Sequence, residues 1–354
     1  MSVKSSKKVK YLVIYPVYLI FCIIVGLFVV EGLIRLLGLA PTPPSEYSGY
    51  VEDPYVPFRP RPFFVSKGRS ASGEYSFEYR YNSVGFRDVE HEIEKPRGVF
   101  RIFGLGDSFT LGAGADFEQS YLYRLEKMLN EREGDHPRVE IIKAGISNYG
   151  AIEERLLLKH YGVKYKPDLI TVGFVPNDVI GCYFGANYFR VVKLGYLMTD
   201  EADRLGDFGT WLYFHSHLSR IFLRKVVAGR IQKKTPYKYA EVFKADGFHE
   251  KDWRKLESEY EKMAAIARSI DAKFVIIHIP QGYLDKEMCA YPASRLARLA
   301  ERIGAVLVDT LPALREAAKK ETVYWKKDGH CTPAGYRVIA ETIYARLAEA
   351  NLVP

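Results

Sequence analysis

A chain of 354 residues, at ~150 residues per domain, has room for two folded units or for one α/β unit with insertions. Its apolar share of 48% and charged share of 27% match globular averages and exclude a disordered, collagenous or wholly membrane-embedded chain. The net charge of +8 is unevenly spread: Lys4, Lys7, Lys8 and Lys10 stand without an acid among the first ten residues, leaving +4 over the rest. A basic tail without a basic stripe argues against a nucleic-acid partner.

Residues Tyr11–Val30 carry no charged side chain, and ~20 apolar residues rising ~1.5 Å each cross a ~30 Å hydrocarbon layer. The stretch reads as a transmembrane helix in contact with lipid through residues 11–30. The best small-x-small site, Gly38-Leu39-Ala40, lies well beyond the apolar run, which favours an uncleaved anchor over a removed signal peptide. Four lysines precede the span and only Arg35 stands between it and Arg59. That asymmetry expects residues 1–10 as a cytoplasmic tail on a single-pass protein whose remainder is extracytoplasmic. Cys22 falls inside the span, so Cys182, Cys289 and Cys331 allow at most one bridge within the chain.

Seven prolines between residues 41 and 62 suggest that 31–74 form a stiff spacer. Alternating aromatic and polar residues from Tyr75 to Asn82 suggest a strand or hairpin arm. From Val99 the pattern becomes short apolar runs (Val99–Leu105, Val139–Lys143, Leu169–Val175, Phe274–Ile279, Ala305–Val308) separated by amphipathic stretches (Gln119–Glu131, Ile152–Tyr161, Trp253–Ile270, Pro292–Arg302, Pro333–Glu349). Buried runs alternating with helices predict a parallel sheet covered on both faces, here in a domain over 75–350. The connection from Asn177 to Phe274 is far longer than a usual βα loop, so a helical insertion is expected at about 180–270. Within it, Trp211, Phe214, Leu218, Ile221, Phe222, Lys225 and Val226 fall at helical spacing. A helix packed on the main domain is the first reading, and one lying on the membrane surface the second.

In open α/β sheets the working residues collect at the carboxyl ends of strands, and polar punctuation falls there. The first run ends in Gly106-Asp107-Ser108, the second at Gly145, the third at Asn177-Asp178. Near the last helix stands Asp328-Gly329-His330-Cys331-Thr332-Pro333, with Thr332 as N-cap and Pro333 at N1. Ester cleavage needs an activated serine, a base, a carboxylate to fix the base's tautomer, and donors for the oxyanion. Ser108 is expected as nucleophile, His330 as base and then acid, and Asp328 as orienter. The N–H groups of Ser108 and Gly145 with the Asn177 amide would form the oxyanion hole. This chemistry requires no metal or organic cofactor. Asp107 reads as a turn residue accepting backbone N–H groups. His278 reads as a core histidine, and His215 and His217 do not share a helix face.

The blocks Gly106-Asp107-Ser108, Gly145, Asn177-Asp178 and Asp328-Gly329-His330, in that order, resemble the SGNH (GDSL-type) hydrolase superfamily. Asn82-Ser83-Val84-Gly85-Phe86-Arg87-Asp88 resembles a leader found in its bacterial members, often membrane-anchored. The resemblance implies a flavodoxin-like three-layer αβα fold, cleavage or transfer of O-acyl groups, and the same roles for the five site residues. One departure is that a single residue separates Asp328 from His330, where the common pattern has two. That spacing is similar to the alginate O-acetylation branch, and it leaves Asp309 as a second candidate for the orienting acid. The reading is a membrane-anchored serine esterase acting on O-acyl, foremost O-acetyl, groups of extracytoplasmic glycans. The alternatives are an O-acyltransferase of the same fold and an inactive glycan-binding scaffold.

Overall fold

The computed structural model describes residues 3–40, 48–70, 72–185, 189–199, 204–234, 239–245, 247–282, 284 and 286–354. They fall into two compact units, one of Met1–Pro43 with Glu201–Pro236 and one of Pro44–Asp200 with Tyr237–Pro354. In the first, helix α1 runs from Val3 to Leu36 without a break at Pro16. The expected span is thus one part of a longer helix. Of this helix, Ile14–Leu36 is long and apolar enough to cross a membrane.

The larger unit opens with two antiparallel pairs, β1 (Tyr50–Val51) with β2 (Arg59–Pro60) and β3 (Val65–Arg69) with β4 (Ser76–Arg80). Residues 48–70 therefore do not form the expected spacer. Tyr50, Val56 and Phe58 are buried in the main core, because apolar side chains spaced between the prolines gain more from burial than from an extended, solvated path. Pro41, Pro43 and Pro44 lie outside the described residues.

The five apolar runs form β5 (Val99–Gly106), β6 (Arg138–Gly145), β7 (Leu169–Phe174), β10 (Lys273–His278) and β11 (Val306–Asp309). They make one parallel sheet in the order β11-β10-β7-β5-β6. Numbered along the chain this is the 2-1-3-4-5 order of flavodoxin-like folds, whose strand order reverses beside the first strand. Both faces are buried. Phe103 and Leu105 of β5, Ile142 and Ala144 of β6, and Ile170 and Val172 of β7 enter one core. Their neighbours Ile102, Ile141 and Leu169 enter the other. Each such Val, Leu, Ile or Phe side chain contributes about 1.5–3 kcal/mol relative to exposure, which is why these strands read as continuous apolar runs.

Short helix α2 (Ser108–Leu111) and α3 (Tyr121–Glu131) follow β5. Helix α4 (Ala151–His160) follows β6, and α5 (Asn177–Phe184) follows β7. Next come the hairpin β8 (Phe189–Lys193) and β9 (Tyr196–Thr199), then α6 (Gly206–His215) and α7 (His217–Lys234), then α8 (Glu250–Ser269). The single helix expected through Trp211–Val226 is therefore two, broken at Ser216. Both belong to the unit of α1, not to the main domain. Helix α8 is a crossover of the main sheet packed on its core. Helices α9 (Lys286–Ile303), α10 (Leu311–Ala318) and α11 (Pro333–Glu349) complete the chain. Pro292 lies inside α9 instead of opening it. As expected, Thr332 caps α11, its side chain accepting from the Gly335 N–H.

Candidate active site

Strand β5 delivers the chain to a tight turn in which Asp107 caps α2, its Oδ1 accepting from the Phe109 N–H at 2.9 Å. The next residue, Ser108, opens that helix. Its Oγ lies 2.7 Å from His330 Nε2, across 222 positions of sequence. The His330 ring packs on Phe109, with centroids 4.8 Å apart. Its Nδ1 is hydrogen-bonded to Asp328 Oδ1. An ionised carboxylate only accepts, so Nδ1 carries the imidazole proton and Nε2 is left to accept from the Ser108 hydroxyl. Burial pushes the Asp328 carboxyl up, but the hydrogen bond and charge of His330, with the hydrogen bond from Tyr75, outweigh it and hold the group below its ordinary range.

The one-residue spacing has a backbone explanation. Gly329 has φ 86°, a left-handed turn that side-chain-bearing residues resist. The turn brings the carboxylate of residue 328 back onto the ring of residue 330. It is braced by the Gly329 N–H on Trp325 O and the Trp325 N–H on His330 O, both 2.9 Å. Asp309 does not take part. It ends β11 and accepts from the fully buried His278 Nδ1 at 2.8 Å.

Gly145 pairs with Gly106 at the end of β6. The N–H groups of Val139, Ile141 and Lys143 point away from β5 to side-chain acceptors. Alternation therefore turns the Gly145 N–H away from β5 as well. A Cβ at Gly145 would stand 2.3 Å from Leu111 N and 2.5 Å from Thr110 C, so only glycine admits this approach. Asn177 begins α5 beyond β7. Its Nδ2 donates to Asp107 Oδ2 at 2.9 Å, which fixes the amide against the nucleophile turn and leaves its second proton for another acceptor. Ends of three adjacent strands thus supply Gly145, Ser108 and Asn177.

Burial pushes the carboxyl of Asp107 up against the bonds from Asn177 and Phe109. Burial pushes Asp178 and Glu154 well up, and their neighbouring acids add to it. Among the described residues neither Glu154 oxygen has a hydrogen-bond partner, so a neutral acid is the form this site tolerates. Cys182 and Cys331 are buried free thiols, and burial pushes both up. The Cys289 side chain lies outside the described residues.

Two supports of the site went unread in the sequence. In the β3–β4 turn, Glu74 Oε2 accepts the N–H groups of Lys327 at 2.9 Å and Asp328 at 2.8 Å. Beside it, the Tyr75 hydroxyl donates to Asp328 Oδ1 at 3.2 Å. The Tyr75 ring packs against Trp325, whose Nε1 donates to Gly114 O at 3.0 Å. On the other side, buried Arg87 donates to the carbonyls of Leu111, Gly112 and Ala115, each at 3.0 Å, and lies 4.4 Å over the Tyr79 ring. It thereby closes the turn that follows α2. The Asn82–Asp88 stretch was a visible signal, but it carried no partner.

Residues 105–338 match the model of the GDSL-like lipase/acylhydrolase family. No curated protein matches the chain. Among solved structures, TesA is similar at 16% identity and TM-score 0.43, over 70% of this chain and 98% of its own. A catalytic mutant of Axe2, an acetylxylan esterase from Geobacillus stearothermophilus, is similar at 14% identity and TM-score 0.42, over 70% and 94%. A member of the lipolytic G-D-S-L family from Veillonella parvula is similar at 10% identity and TM-score 0.42, over 70% and 98%. With the family model spanning most of the chain, this protein belongs to the GDSL-like lipase/acylhydrolase family and is an ester-hydrolysing enzyme of α/β architecture.

Proposed function

We propose that the protein is a membrane-anchored serine esterase that removes small O-acyl groups, foremost O-acetyl, from extracytoplasmic glycans. Ser108 Oγ attacks the acyl carbonyl as its proton passes to His330 Nε2. The carbonyl oxygen becomes an oxyanion facing the Ser108 and Gly145 N–H groups and the Asn177 amide, where one lost donor typically costs ~10²–10³ in rate. Asp328 stabilises the imidazolium. Collapse breaks the ester C–O bond, and Nε2 returns the proton to the departing alcohol. Water then attacks the acyl-serine, giving its proton to Nε2. The carboxylic acid leaves and the Ser108 hydroxyl is restored.

The observation that carries this reading is the 2.7 Å Ser108–His330 bond with Asp328 on the opposite ring nitrogen. The anchor is supported by the apolar length of Ile14–Leu36 and by side chains exposed from Ile14 to Val30. The preceding lysines orient it with the catalytic unit outside the cytoplasm. An esterase held there meets acylated surface material, and the Tyr75–Trp325 ring pair beside Asp328 offers a stacking face for a sugar.

The test is labelling of the full chain by a serine-directed fluorophosphonate. Labelling lost in Ser108→Ala supports the reading, whereas a folded wild-type chain that never labels refutes it in favour of a scaffold. Acetate released from an acetylated oligosaccharide without an added acceptor identifies a hydrolase. Loss of acetyl from the donor only when an added acceptor alcohol becomes acylated, with no free acetate formed, identifies a transferase.

A further inference from the structure

The smaller unit joins α1 to the α6–α7 corner through side chains that close helix ends. Glu31 accepts from Ser216 Oγ at 3.0 Å and from the N–H groups of His217 and Leu218, both at 2.8 Å. It thus supplies from α1 acceptors for the first N–H groups of α7, beside the cap that Ser216 itself gives, its Oγ accepting from the Ser219 N–H at 3.1 Å. Arg35 Nη2 donates to His215 O at 2.6 Å, at the end of α6. Arg220, fully buried, donates to the carbonyls of Tyr213 and Phe214, both at 2.8 Å, and closes the corner from inside. Glu31 and Arg35 lie in the last turns of the apolar segment Ile14–Leu36. The corner is therefore fastened at the end of the lipid-length helix.

Phe208, Trp211 and Phe222 present 72%, 48% and 63% of their surface outward. Phe208, Trp211 and His215 stack in succession along one face of α6, with centroids 6.4 and 5.1 Å apart. On α7, Phe222 and Val226 stand one turn apart and exposed, beside exposed Arg224 and Lys225. Single exposed aromatics are ordinary. An aromatic row flanked by basic residues at the end of a span is the composition of the hydrocarbon–headgroup boundary.

We infer that the α6–α7 hairpin lies in the outer interface of the bilayer. Phe208, Trp211, Phe222 and Val226 enter the acyl boundary while Arg224 and Lys225 meet anionic phospholipid headgroups. This rests on the proposed anchor and adds a second attachment to it, one that limits how the smaller unit can rotate about α1.

The test uses the full chain in liposomes of phosphatidylcholine and phosphatidylglycerol, with and without bromine on shallow acyl carbons. The chain has three tryptophans, and the emission lost in Trp211→Phe isolates Trp211 from Trp253 and Trp325. An interfacial Trp211 should lose about half its emission or more in brominated lipid. Phe21→Trp, placed in the Trp211→Phe background, reports the span itself. Quenching at position 21 with none at Trp211 overturns this inference and leaves the anchor standing. No quenching at either position overturns both. A Trp211 shielded from brominated lipid and from aqueous iodide alike is covered by protein, which also overturns the inference.

Discussion

Replacing Asp328 by Asn separates the role of this carboxylate from its bulk. In the native site Oδ1 receives the His330 Nδ1–H, the Tyr75 hydroxyl at 3.2 Å and the His330 backbone N–H at 3.4 Å. With three donors converging there, an Asn would leave at least one unmatched or turn its own NH₂ toward Nδ1. Nδ1 then becomes the acceptor and Nε2 carries the hydrogen, so the ring presents a donor to Ser108 where an acceptor is needed. The imidazolium formed during attack also loses its counter-charge. Loss of the orienting acid in a serine triad costs about 10⁴ in rate, which corresponds to about 5.5 kcal/mol of barrier. The assay is kcat and KM on a chromogenic acetate ester, with fluorophosphonate labelling rate as an independent readout. Asp328→Asn should lower kcat by about 10³–10⁴ with KM little changed. Asp309→Asn, which disturbs the pair with His278, should keep activity within about tenfold. A variant at 328 that keeps a tenth of wild-type activity, or one at 309 that loses more than it does, refutes the assignment of the orienting acid.

Gly145→Ala puts a methyl into the backbone of Thr110 and Leu111, so α2 must move. The expected loss is at least ~10²-fold in kcat/KM, with a stability cost of about 1–3 kcal/mol by chemical denaturation. Tyr75→Phe removes one donor to Asp328 and keeps the ring packing, so kcat should fall about three- to tenfold at constant KM; no change would show that the hydroxyl is idle. Burial raises the Glu153 carboxyl from 4.5 to about 7. The folded chain therefore holds a proton that the unfolded chain releases across that window, and stability falls as pH rises through it. The drop attributable to this group is about 3 kcal/mol. Urea unfolding at several pH values should show a shallower decline in Glu153→Gln, and an unchanged decline would contradict the burial argument.

The sheet was legible because strands buried on two faces must be apolar at every position, and β5, β6, β7, β10 and β11 each announce themselves that way. The site was legible because its glycines and polar residues interrupt those runs at their carboxyl ends. Long-range partnerships were not. Glu74 and Tyr75 act on residues about 250 positions away, and no periodicity encodes such a pairing. The break between α6 and α7 at Ser216 was hidden because the residues on either side keep helical spacing, and because the Glu31 carboxylate that takes the first N–H groups of the second helix sits far off in α1. Residues 48–70 misled for a related reason. Proline marks a stiff path, but it does not say whether that path runs through solvent or across a core.

The left-handed turn at Gly329 makes the acid and the base neighbours on one short loop, instead of contributions from separate elements. Glu74 and Tyr75 hold that loop to the β3–β4 turn and Trp325 holds it to Gly114, so acid and base keep one fixed relation to each other and to the serine. In the proposed reaction the serine's proton then meets a base whose tautomer is already set.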